Sequence, residues 1–93
     1  MCDDSRHLNI KIMGRVQGVA FRYAARSTAL ALGVKGFVKN LPDGSVYLEA
    51  EGDTVQLNRL VAWCQEGHTR ARVDKLYISE GNLKGFIDFE VRF

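Results

Sequence analysis

The chain has 93 residues, of which 46% are hydrophobic and 26% charged, and its formal net charge is +2. This length supports one domain with one modest core, so we predict a single domain over residues 1–93. No apolar run is long enough to span a membrane, and the polar residues 1–7 do not resemble a signal peptide. We therefore expect a cytoplasmic protein with no membrane partner.

The basic residues are distributed unevenly along the chain. No acid lies between Asp4 and Asp43, whereas the lysines and arginines of that stretch are Arg6, Lys11, Arg15, Arg22, Arg26, Lys35 and Lys39. The first half is therefore a positive field that suits an anionic ligand. A chance distribution of charges over a solvated surface explains the same pattern.

Cysteine and histidine give little indication of a site. Cys2 and Cys64 do not form a disulfide scaffold, and whether they pair with each other stays open, although reduced thiols are usual in the cytosol. His7 and His68 have no neighbouring acid or cysteine in sequence, so we expect surface or hydrogen-bonded histidines rather than ligands. No zinc spacing is present, and we expect no metal and no cofactor.

In chain order, the first two predicted elements are a strand and a helix. Residues 7–13 alternate, with Leu8, Ile10 and Ile12 on one face, which is typical of a half-buried strand. A helix follows from Phe21, because apolar or small side chains recur at helical spacing, at Phe21, Ala24, Ala25, Thr28 and Leu32. Gly33 suits the left-handed residue that ends a helix.

The next predicted elements are a hairpin and a second helix. Lys35 to Leu41 is a strand, Pro42-Asp43-Gly44 is a turn, and Val46, Leu48 and Ala50 mark the next strand. Asp53 and Gln56 have the spacing of a capping box. The helix that follows has a buried face at Leu57, Leu60, Val61 and Cys64, and Gly67 ends it.

Two further strands complete the pattern. They are predicted at Val73 to Ser79 and at the alternating positions Ile87, Phe89, Val91 and Phe93. The order βαββαβ with an added C-terminal strand predicts an α+β fold, a ferredoxin-like two-layer sandwich with two helices on one face of an antiparallel sheet. This fold hosts many functions and assigns none by itself.

The loop before the first helix is the most informative segment. No Ser, Thr, Asp or Asn precedes Phe21 to cap the helix, so its first N–H groups lack a side-chain partner. Gly18 permits a curled loop, in which backbone N–H groups can form an anion nest beside the helix N-terminus. Its Gly-x-x-x-Gly spacing is not that of a nucleotide-binding P-loop.

Arg22 lies in the first turn of that helix and leans back over the loop. A cation opposes the helix dipole there, unless an anion joins it, and guanidinium binds phosphate through paired hydrogen bonds. Asn40, at the end of the second strand, lies on the same side of a parallel β1–α1–β2 unit. The residues alone leave two interpretations: an anion site, or a tight turn with an incidental arginine and a hairpin-capping asparagine.

Two stretches resemble signatures of the acylphosphatase family. The first is Gly14-Arg15-Val16-Gln17-Gly18-Val19-Ala20-Phe21-Arg22, and the second is Gly36-Phe37-Val38-Lys39-Asn40 followed by Gly44-Ser45-Val46 and Gly52. Length, order of elements and the aromatic C-terminus agree as well, so the resemblance covers nearly the whole chain.

The resemblance implies an enzyme that hydrolyses the carboxyl–phosphate bond of a small-molecule acyl phosphate, giving a carboxylate and inorganic phosphate without metal or phosphoenzyme. It implies that Arg22 binds the phosphate and that Asn40 orients the attacking water. The loop amides that it places around the phosphate are those of Arg15, Val16, Gln17, Gly18, Val19 and Ala20. Small size and dispersed charge favour a monomer.

Two other function classes fit parts of the pattern. An RNA-binding module also has βαββ order and positive charge, but its central strands display aromatic residues for base stacking, and the third strand here offers only Tyr47. We therefore expect no nucleic-acid partner. A non-catalytic phosphate-binding domain, such as the acylphosphatase-like domains of larger carbamoyl-transferring enzymes, is the second alternative, and the short chain argues against it.

Overall fold

The computed structural model describes residues 5–18, 20–66 and 71–93. The strands are β1 (Arg6–Arg15), β2 (Lys35–Asn40), β3 (Val46–Gly52), β4 (Arg72–Gly81) and β5 (Phe89–Arg92), and the helices are α1 (Phe21–Leu32) and α2 (Thr54–Glu66). The expectations for Cys2, Val19, Gly67 and His68 fall outside the described residues.

The five strands form one sheet in the order β4-β1-β3-β2-β5. The pairs β1–β3, β1–β4 and β2–β3 are antiparallel, whereas β5 runs parallel to β2. The predicted ferredoxin-like fold is confirmed, with the refinement that the added strand makes the sheet mixed. β1 and β2 are both antiparallel to β3, which lies between them. The C-terminal ends of β1 and β2 therefore lie at the same end of the sheet.

The core lies between the sheet and the two helices. Alternation in the strands and helical spacing in α1 and α2 direct apolar side chains into one layer, whose largest fully buried members include Ile10, Ile12, Phe21, Leu48, Leu57 and Leu60. The rings of Phe21 and Trp63, on α1 and α2, have centroids 5.2 Å apart. None of the described helices is long and apolar enough to cross a membrane.

Both helices begin or end as the sequence predicts. Gly33 has φ 78° at the C-terminus of α1. At the start of α2, the Gln56 N–H donates to Asp53 Oδ1 and the Asp53 N–H donates to Gln56 Oε1, at 2.7 and 2.9 Å. This reciprocal pair is the predicted capping box.

The end of the chain differs from the predicted alternation. β5 covers only four residues, of which Phe89 is buried and Val91 is partly buried. Ile87 precedes the paired residues and Phe93 follows them, and both are largely exposed. The predicted alternating strand from residue 87 to residue 93 is therefore wrong at its ends, because only residues 89–92 pair with β2.

The face of the sheet opposite the helices carries a buried polar network. His7 is 1% exposed, and its Nδ1 donates to Glu51 Oε2 at 2.7 Å. The connection between β4 and β5 covers this face, with the Phe86 ring stacked on His7 at a centroid distance of 5.9 Å. Of the two expected roles for this histidine, the structure assigns the hydrogen-bonded one.

Candidate phosphate site

The loop between β1 and α1 curls through left-handed backbone conformations. Gly18 has φ 75°, and Ala20, the N-cap residue directly before α1, has φ 59°. A positive φ at a non-glycine residue costs about 1–2 kcal/mol, and such strain concentrates at functional sites. Ala20 offers no side-chain cap, so N–H groups of the first turn have no partner within the helix.

A cavity of about 200 Å³ opens between this loop and the end of β2. Its lining residues are Val16, Gly18, Ala20, Phe21, Arg22, Tyr23 and Asn40. The two sequence segments that carry the resemblance therefore meet in space, as the parallel arrangement of β1 and β2 requires. A ligand in this cavity faces a helix N-terminus, a guanidinium and a carboxamide.

Asn40 lines the cavity and carries an unpaired acceptor. Its Oδ1 is buried and has no hydrogen-bond partner among the residues that the structure describes. A buried amide oxygen without a donor costs about 1–3 kcal/mol, and buried polar atoms of native proteins are rarely left in this state. The atom therefore lacks the hydrogen bond that a hairpin-capping asparagine makes.

Arg22 is half-buried, and its guanidinium contacts Arg92 and Phe93. Nη1 donates to the main-chain oxygen of Arg92 at 2.9 Å. The guanidinium carbon lies 4.5 Å from the centroid of the Phe93 ring. Guanidinium has five N–H donors, so the contact with Arg92 leaves donors for an anion in the cavity.

Gln17 and Val16 support the loop in different ways. The Gln17 Nε2 donates to the carbonyl oxygens of Leu41 and Ser45, both at 2.8 Å. This side chain thereby links the loop to the β2–β3 hairpin that carries Asn40. The Val16 side chain is buried in the core and anchors the loop there.

Arg15, like Gln17, is a predicted site residue that lies outside the cavity lining. It ends β1, is exposed, and lines a second, wide-open concavity together with Arg72, Asp74, Lys75 and Tyr77. The backbone bulge between Met13 and Gly14 precedes this position. Val19, which is also a predicted site residue, falls outside the described residues.

Four residues near the site were missed at the sequence level. Phe21 and Tyr23 line the cavity, while Arg92 and Phe93 contact Arg22. The helical spacing predicts Phe21 only as a core residue. The aromatic C-terminus was a weak signal, because its position beside Arg22 depends on the pairing of β5 with β2.

Neither cysteine nor metal chemistry is indicated by the described residues. They contain no group of three or more His, Cys, Asp or Glu side chains placed to hold a metal ion. Burial raises the pKa of the Cys64 thiol to about 12, which keeps this free thiol in its unreactive protonated form.

Comparison with known proteins identifies the family. The sequence model of the acylphosphatase family matches residues 8–91. The chain belongs to the acylphosphatase family. The acylphosphatase of Syntrophobacter fumaroxidans is 42% identical over 91 residues, covering 97% of this chain and 94% of that protein.

Solved acylphosphatase structures agree in fold. The acylphosphatase of Coxiella burnetii has a TM-score of 0.92 at 35% identity, covering 96% of this chain and 94% of that one. The acylphosphatase of Bacillus subtilis also has a TM-score of 0.92, at 32% identity, covering 95% and 99% respectively. The chain is an enzyme of the acylphosphatase class, EC 3.6.1.7, and it hydrolyses acyl phosphates.

Proposed function

We propose that this acylphosphatase hydrolyses its substrate in the cavity between the β1–α1 loop and Asn40, without a metal ion. Arg22 and the loop amides, those of Arg15 to Ala20, bind the phosphate group, and Asn40 orients the attacking water. The observation that carries the proposal is that Asn40, whose Oδ1 has no hydrogen-bond partner among the described residues, lines the same cavity as Arg22.

The donors of the loop and of Arg22 suit the charge of a phosphoryl group. Phosphoryl transfer depends mainly on positioning and on stabilising the equatorial oxygens. N–H donors fixed at a helix N-terminus, together with a guanidinium already held by Arg92 and Phe93, need little rearrangement as the charge develops. Each well-aimed donor of this kind contributes on the order of 10²–10³ in rate.

Asn40 suits the placement of water rather than its deprotonation. A neutral carboxamide can accept a hydrogen bond from water and donate others, and the unpaired Oδ1 is the acceptor that such a water needs. Fixing the nucleophile in line lowers the entropic part of the barrier. The carboxylate of an acyl phosphate is a good leaving group, so the proposal requires no general acid. The proton of the water passes to the substrate phosphate or to solvent.

Turnover of benzoyl phosphate in the presence of EDTA tests the proposal, with two pairs of variants. We expect Arg22→Ala to lower kcat/KM at least about 10²-fold and to abolish inhibition by inorganic phosphate. Asn40→Ala should lower kcat to a similar extent while phosphate still binds. Arg59→Ala and Asn58→Ala, at exposed positions on α2, are the matched controls and should retain activity.

The outcomes separate the parts of the proposal. Full activity of a folded Arg22→Ala variant would exclude this cavity as the phosphate site. Parallel loss of phosphate binding and turnover in Asn40→Ala would make Asn40 a phosphate ligand instead. Loss of wild-type activity on EDTA treatment, restored by a divalent cation, would overturn metal independence.

A further inference from the structure

The phosphate cavity has a volume of about 200 Å³ and is partly open to solvent. Under the proposed function, the phosphoryl group and the attacking water occupy the part of the cavity beside the loop amides, Arg22 and Asn40. The acyl group beyond the bridging oxygen then extends towards the open side of the cavity.

Tyr23 differs from the other residues that line this cavity. Val16 and Phe21 are buried in the core, Gly18 and Ala20 have almost no side chain, and Arg22 and Asn40 are polar. Tyr23 remains 54% exposed. It is the large, partly apolar side chain of the lining that a ligand could cover, and it follows Arg22 directly in the first turn of α1.

We propose that Tyr23 forms an acyl-group subsite that favours acyl phosphates with a flat or bulky apolar acyl group. This inference rests on the proposed function, because it takes the phosphate to be bound by Arg22 and the loop. An aromatic ring gives an apolar acyl group a flat surface to cover, and covering it removes apolar area from water. Inorganic phosphate and a small acyl group gain little from this contact.

The contact acts mainly on substrate affinity. An acyl group rests on the ring both before and during bond cleavage, so the stabilisation is similar in the ground state and in the transition state. Such uniform binding lowers KM and leaves kcat nearly unchanged. A merely structural role for Tyr23 would instead change the kinetics of every substrate and the binding of phosphate.

The test compares Tyr23→Ala, Tyr23→Phe and Tyr77→Ala. Tyr77 is the matched control, because it is 49% exposed but lines the second concavity on β4. The measurements are kcat and KM for benzoyl phosphate and acetyl phosphate, and the inhibition constant of inorganic phosphate.

We expect Tyr23→Ala to raise KM for benzoyl phosphate roughly five- to tenfold. In the same variant, kcat and KM for acetyl phosphate and the inhibition constant of inorganic phosphate should change less than twofold. Tyr23→Phe should have the KM of the wild type for benzoyl phosphate, and Tyr77→Ala should change the kinetic constants of neither substrate.

Equal losses for both substrates, or unchanged benzoyl phosphate kinetics in Tyr23→Ala, would overturn the acyl subsite. Either result leaves the proposed function standing if Arg22→Ala has still lost phosphate inhibition. If Arg22→Ala binds phosphate normally, the proposed function is wrong, and the acyl subsite, which rests on it, is overturned with it.

Discussion

The Nη1 of Arg22 donates a hydrogen bond to the main-chain oxygen of Arg92, 2.9 Å away, and so links the first turn of α1 to the end of β5. The Phe93 ring lies against the same guanidinium at 4.5 Å, although the residue is 92% exposed. Two contacts from the end of the chain therefore restrict the orientation of the arginine before any ligand is bound, and such preorganisation favours affinity.

Removal of the Phe93 ring should weaken phosphate binding. A cation–π contact at an exposed site contributes about 0.5–1 kcal/mol, so Phe93→Ala is expected to raise KM for both acetyl and benzoyl phosphate two- to fivefold. The inhibition constant of inorganic phosphate should rise equally. Phe93→Tyr should preserve the contact, and Ile87→Ala, at an exposed position before β5, is the control. An unchanged phosphate inhibition constant in Phe93→Ala would show that the ring does not restrain Arg22.

Gln17 should affect both stability and phosphate affinity. Its Nε2 donates to the Leu41 and Ser45 carbonyl oxygens, so Gln17→Ala removes two hydrogen bonds between the loop and the hairpin. We expect a loss of about 1–3 kcal/mol in the free energy of unfolding, measured by urea denaturation. Phosphate affinity should fall as well, because the loop then samples other conformations. Lower stability with unchanged phosphate binding would restrict this side chain to a structural role.

Much of the fold was readable from local pattern. Alternation marked the strands, and the capping box of Asp53 and Gln56 marked the start of α2, because both signals depend on residues close in sequence. The approach of Asn40 to the β1–α1 loop could also be predicted, because a parallel β1–α1–β2 unit brings the C-terminal ends of both strands to the same end of the sheet.

The missed features depend on contacts between distant parts of the chain. Alternation placed His7 on the polar face of β1, but the connection carrying Phe86 covers that face and buries the ring. Likewise, Arg22 contacts Arg92 and Phe93 only because β5 adds to the sheet beside β2. Sequence spacing alone predicts neither the burial of His7 nor the contacts of Arg22.

Gly36 should tolerate no side chain. It lies in β2 with φ 150°, and a Cβ built there would overlap the carbonyl oxygen of Glu49 on the neighbouring strand. Because that oxygen belongs to the backbone of β3, it cannot move without disturbing the pairing of β2 with β3. We expect Gly36→Ala to lose more than about 3 kcal/mol of unfolding free energy, or to fail to fold.

Gly44→Ala is the matched control for that change. Gly44 has φ 93° in the hairpin turn, with no atom within 4 Å of a built Cβ. Alanine there carries backbone strain of about 1–2 kcal/mol without a steric overlap. Similar losses of unfolding free energy in the two variants would contradict the assignment of the larger effect to the contact with Glu49.

Glu51 should make the fold sensitive to acid. Burial by itself raises the pKa of this carboxyl, but the N–H groups of Lys84, Phe86 and Gly85 and the His7 ring donate to it, and the net pKa lies below the ordinary value of 4.5. A carboxyl with a depressed folded-state pKa stabilises the protein above its unfolded-state pKa. That stabilisation is lost as pH falls through the folded-state value, so the free energy of unfolding should decrease below pH 4.5.

Glu51→Gln tests this assignment. Hydrogen bonds to a charged group contribute about 1.5–3 kcal/mol each, so the variant should lose about 2 kcal/mol or more at pH 7 and should show a flatter decline below pH 4.5. Glu66→Gln, at an exposed position at the end of α2, should leave the pH profile unchanged. Urea denaturation at a series of pH values measures both quantities. If Glu51→Gln retained the wild-type slope, the acid sensitivity would have to arise elsewhere, and Glu49, whose pKa is also lowered, would be the next carboxyl to replace.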